Sequence, residues 1–103
     1  MQRLSPGDPQ IFELLRRAIE LDPLSPLGYA DAIDYLLAQA RPQEALQYAR
    51  HLAKICNPPA EKRTEYCLRQ VPALAARIDR GELTVQSYAA EFVARCERAF
   101  AGG

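Results

Sequence analysis

The stretch SPLGYADAIDYLLAQARPQEALQYARHLAKICNPP, residues 25–59, decides the fold. Its apolar residues recur at steps of three and four: Tyr29, Ala32, Ile33, Leu36 and Ala40, then Ala45, Tyr48, Ala49, Leu52 and Cys56. Each set is one stripe along a helix of 3.6 residues per turn. Pro26 and Pro42 open the two halves, positions where a missing N–H costs nothing because no helical carbonyl waits for it. Ser25 adds an acceptor for the free amides of the first turn. Asn57, Pro58 and Pro59 end the second helix, since Pro can neither donate to it nor fit inside it.

Upstream, Ile11, Leu14, Leu15, Ala18 and Ile19 form another stripe, started by Asp8 and Pro9. The short link Asp22 to Ser25 lays this helix beside the next one. Downstream, Cys67, Val71, Leu74, Ala75 and Ile78 keep the helical period on both sides of Pro72, where the helix either bends or divides into two shorter ones; the unbroken phase favours one bent helix. Gly81 fits a left-handed stop. A last helix starts at Thr84 and aligns Val85, Tyr88, Ala89, Phe92, Val93, Cys96 and Phe100. No alternating run of β-branched and aromatic residues supports a strand. The expectation is one all-α domain over residues 1–103, with helices at about 9–21, 26–40, 42–56, 59–80 and 84–101. Three acid-before-base pairs four residues apart, Glu13 with Arg17, Glu65 with Arg69 and Glu91 with Arg95, fall on the faces the stripes leave free.

The 13 basic residues balance the 13 acidic ones, so no long-range field draws nucleic acid or anionic lipid. No segment has the roughly 20 apolar residues of a membrane span, and Met1 to Gln10 lacks the apolar core of a leader. Taken as complete, the chain reads as soluble and cytoplasmic; in a fragment, targeting signals would lie elsewhere. Cys56, Cys67 and Cys96 are odd in number, widely spaced and on apolar stripes, which reads as buried reduced thiols rather than a disulfide framework.

The segment Ala18-Ile-Glu-Leu-Asp-Pro23 resembles the close of a tetratricopeptide repeat, whose second helix ends in Ala, a hydrophobic residue and Pro. With Pro23 in the closing position, a frame of about 34 residues places Tyr29 on the family's large aromatic position. It also places Ala32 and Ile33 on the close-packing pair, Leu36 on the next core position and Ala45 on the small residue of the second helix. Small residues at such crossings let helix axes approach to about 8–10 Å. Ala40 and Pro42 depart from the family, standing where it has Gly and an aromatic. Leu52 replaces its second small residue, and Asn57-Pro58 brings the closing Pro one residue late. The resemblance covers roughly Ile11 to Pro58. It implies a right-handed stack of antiparallel helical hairpins, about five helices, closed by a non-repeat C-terminal cap.

The resemblance also implies a non-enzymatic adaptor that holds a protein or peptide on the face lined by first helices. That face would include Leu27, Ala30, Asp31, Asp34 and Leu37, with Asp31 and Asp34 suited to a basic side chain or simply facing water. The family's clamp for a C-terminal carboxylate needs Lys, Arg and Asn there, so the acids argue against it. Tyr35 and Tyr66 lie off the main stripes and are candidate exposed anchors. His51, Cys56 and Cys67 lack the tight pairs of a zinc ligand set; a Cys acting with His51 is disfavoured because both sit on helical stripes and neither lies in a loop that could shape a pocket, and no Gly-rich phosphate loop occurs. The expectation is no metal, no cofactor, no nucleic acid and no membrane insertion, with homo-oligomerisation left open. An accessory or regulatory domain cut from a larger enzyme or membrane-associated assembly is the alternative.

Overall fold

The computed structural model describes residues 9–102, and these form six helices without a strand. They are α1 (Pro9–Leu21), α2 (Pro26–Ala38), α3 (Pro42–Ile55), α4 (Glu61–Arg69), α5 (Pro72–Asp79) and α6 (Val85–Gly102). The expected start at Asp8 lies outside the described residues.

α3 is the central rod, packed against α2 on one side and α6 on the other. Its Ala45, Ala49 and Leu52 are wholly buried, together with Ile33 and Leu36 of α2 and Cys96 of α6. α6 runs antiparallel to α3, since the Gln86 side chain at its start donates to the Cys56 carbonyl at the end of α3. It runs alongside α2 in the same direction, with Arg95 reaching Asp34 and Phe100 sharing a groove with Leu37. α1 lies on the other flank of α2, where Gly28 lets it come close: a Cβ there would stand 3.2 Å from the Ile19 side chain. The thinnest dimension, 23 Å, is two helix diameters of about 10–12 Å, so the helices form two layers.

The last two expected segments form three helices, because the segment expected at 59–80 is two helices. Val71 is extended (φ −96°, ψ 112°) and Pro72 begins α5. Steric conflict with a following Pro drives its predecessor out of the helical region, and Pro suits a first turn better than an interior. The phase of the stripe survives the break, which is why the sequence conceals it. α4 starts at Glu61, after the cis Pro58-Pro59 bond. Thr64 ties it to α3: its hydroxyl, fully buried, donates to the Ile55 carbonyl at 2.6 Å.

Turn chemistry fixes the helix ends. Gly81 takes φ 74° after α5, as its expected stop position requires. The start of α6 is a reciprocal cap, with Thr84 N–H donating to Ser87 Oγ and Ser87 N–H to Thr84 Oγ1. Ser25 is extended before α2 but makes no side-chain cap. The helix ends two residues earlier than expected because Ala40 is left-handed, φ 57°, while Arg41 N–H bonds back to the Leu36 carbonyl. A left-handed alanine costs about 1–2 kcal/mol, of which a glycine's greater unfolded-state entropy takes back part. Ala40→Gly is therefore expected to raise stability by ~0.5–1 kcal/mol. A chemical-denaturation midpoint that falls instead would show this turn to be unstrained.

Two stripes are less buried than their period implies. In α1, Phe12 and Ile19 pack on the core while Leu14 and Ala18 face outward, because the apolar arc is wider than the line of contact with α2. In α6, Phe100 is exposed beyond the end of the α2–α3 hairpin. Phe92 and Cys96 are buried within the core that α6 shares with α3. Of the expected charge pairs only Glu65 with Arg69 forms, at 3.6 Å; Glu13 pairs with Arg16, and Arg95 turns to Asp34.

Candidate functional site

The expected binding face occupies α2, whose residues 27, 31 and 34 follow one another at helical spacing. α6 lies beside it and takes up much of it. Ala30 is buried, Leu27 and Leu37 are half-buried, and Asp34 accepts a hydrogen bond from Arg95 at 3.0 Å. The basic partner suited to Asp34 is thus supplied by the chain itself, 61 residues away in sequence. Asp31 is exposed and makes no ion pair among the described residues. Burial raises its carboxyl pKa, and the Asp34 charge adds to the effect. The Tyr88 hydroxyl beneath them is pushed up to about 12, first by its burial and then by the charges of Asp31 and Asp34.

Tyr35, a candidate exposed anchor, is half-buried with its ring stacked on Phe12 at 5.8 Å. It belongs to an aromatic cluster binding α1, α2 and α3, in which Phe12 also meets Tyr48 edge-on and Tyr29 stacks on His51. Arg41 lies 5.8 Å over Phe12 and forks onto the Glu44 carboxylate. Tyr66 is exposed, with Arg63 over its ring at 5.9 Å.

His51 is exposed on α3, whereas Cys56, Cys67 and Cys96 are buried and free. Burial pushes the Cys56 thiol up to about 11. At neutral pH it therefore carries almost no thiolate, the form that attacks or binds metal. Among the described residues no three His, Cys, Asp or Glu side chains gather into a metal cluster, and no helix is long and apolar enough to cross a membrane.

What sequence reasoning missed is the outer side of α1. Leu14 is 57% exposed and Leu21 86%, with Leu24 beyond them in the turn to α2. Leu14, Ala18 and Leu21 form an outward ridge, and Arg17, between them in sequence, makes no ion pair among the described residues. A second exposed patch lies at the far end of α6, where Phe100, Ala99, Leu37 and Pro42 border a groove of about 750 Å³. The width of the apolar arc in α1 was the available signal, since residues 11, 12, 14, 15, 18, 19 and 21 cover about half the helix. In comparison with known proteins the chain matches no protein-family model, no curated protein and no solved structure.

Proposed function

We propose that the chain is a non-enzymatic interaction module, built on a tetratricopeptide-like hairpin, that holds a protein partner through the outer face of α1. The observation that carries this reading is the ridge of Leu14 and Leu21, whose exposure is costly in water unless another surface covers it. The left-handed turn at Ala40, where the resembling family places Gly, supports the hairpin part of the reading. Asp31, exposed and without an ion pair among the described residues, offers a carboxylate for a basic group of the partner. The same ridge favours a second reading, an accessory domain seated by α1 against the rest of a larger assembly.

A photo-activated cross-linking residue at position 21 tests both. In cells it is expected to capture a polypeptide, while the same group at exposed Arg80, away from the ridge, captures none. An adduct with a separate protein supports the adaptor, and one within a longer form of the same chain supports the accessory domain. Failure to trap any polypeptide at position 21 removes the interaction reading.

A further inference from the structure

We infer that the partner of the α1 ridge is α6 of a second copy, so that the chain assembles head to tail. This rests on the interaction-module reading and names the partner. α1 packs on one flank of α2 and α6 on the other side of the hairpin. The exposed apolar residues of each are therefore left uncovered by the other, and a contact between them joins two copies. On α6 the strip bordering its buried face carries Ala90, Val93, Glu97 and Phe100, spaced by three and four; Val93 is half-buried against the core, whereas Ala90, Glu97 and Phe100 are exposed, Phe100 by 54%.

One antiparallel register matches the two faces. With Arg17 opposite Glu97, each without an ion pair among the described residues, Leu14 falls three residues back opposite Phe100, and Leu21 falls four residues on opposite Val93. Equal spacing along two helices of 1.5 Å rise aligns all three contacts at once. Ala90, Ala94 and Ala53 of α3 leave a groove of about 330 Å³ beside this face, so a helix can come close. Glu20 then lies toward Arg50 of α3, a second pair of opposite charges, neither of which makes an ion pair among the described residues.

Pairing α1 with α1 of a second copy is disfavoured, because an antiparallel crossing centred on Ala18 sets the two Arg17 side chains together. The α1–α6 contact joins two different faces, so every copy retains one of each and growth continues until a ring closes.

Sedimentation velocity of the purified chain across a wide concentration range is expected to show species larger than one copy, increasing with concentration. Leu21→Glu destroys the ridge and Phe100→Glu the opposing face; both sites are exposed, and circular dichroism checks that each variant remains folded. Each variant alone is expected to be monomeric, and their mixture to give 1:1 heterodimers and nothing longer, since one intact ridge meets one intact α6. Arg17→Glu is expected to weaken assembly about tenfold, with Glu97→Arg in the same chain restoring it. A wild-type chain that stays monomeric, or a Phe100→Glu chain that assembles like wild type, overturns the inference. If the cross-link at position 21 captures a different protein while the purified chain is monomeric, the inference fails and the interaction reading stands.

Discussion

A chain truncated after Glu82 is expected to lose cooperative unfolding altogether. The truncation removes Leu83, Val85, Tyr88, Ala89, Phe92 and Cys96, all buried, and strips the cover from one side of α3. Fully burying a large apolar side chain contributes about 1.5–3 kcal/mol. Leu83, Val85, Tyr88 and Phe92 alone therefore represent a share comparable to the entire ~5–15 kcal/mol by which domains are usually stable. The loss is compounded at α4, because Gln86 bridges the Cys56 carbonyl and the Glu61 carboxylate. Thermal melting followed by far-ultraviolet circular dichroism is expected to change from a sigmoidal transition to a shallow slope. A sharp transition near the wild-type midpoint would show that α1 to α5 hold a core of their own, and α6 would then be an appendage.

The hairpin of α2 and α3 was legible in the sequence because each of its signals is local. A proline at each start, apolar steps of three and four, and Ala at positions 45 and 49 all act within one or two turns, and both alanines are completely buried. What the sequence concealed depends on residues far apart. The stripe through Val71 and Leu74 keeps phase across Pro72, so periodicity suggested a bend where steric conflict at Val71 makes a break. Asp34 looked available to a partner because nothing near it in the chain reveals that Arg95 will arrive from α6. The ridge at Leu14 and Leu21 escaped notice for a related reason: an apolar stripe states that a residue seeks cover, and only the packed structure states whether cover comes from the same chain. Tyr35 shows the converse, since it lies off the main stripe yet gains a neighbour in Phe12.

Leu52→Ala is expected to cost about 2–5 kcal/mol, the usual range for removing a buried leucine and leaving its cavity partly unfilled. The position is informative because the tetratricopeptide frame would place a small residue there, so the resemblance alone suggests that Ala should be tolerated. Leu52 is instead completely buried in the last turn of α3, a helix with both α2 and α6 packed on it, so several helices would have to shift to fill the space. Close approach is already provided for one turn away: Ala49 and Ala45 are the short side chains of the same helix, and Leu52 fills the volume their neighbours leave. Leu14→Ala is the matched control, an identical chemical change on the outward ridge of α1, and at dilute concentration it is expected to move stability by no more than ~0.5 kcal/mol. Urea denaturation of both variants reads the difference directly as a shift in midpoint. If Leu52→Ala were as mild as Leu14→Ala, α3 would be packed as the family packs its second helix, and Leu52 would not be a keystone of the core.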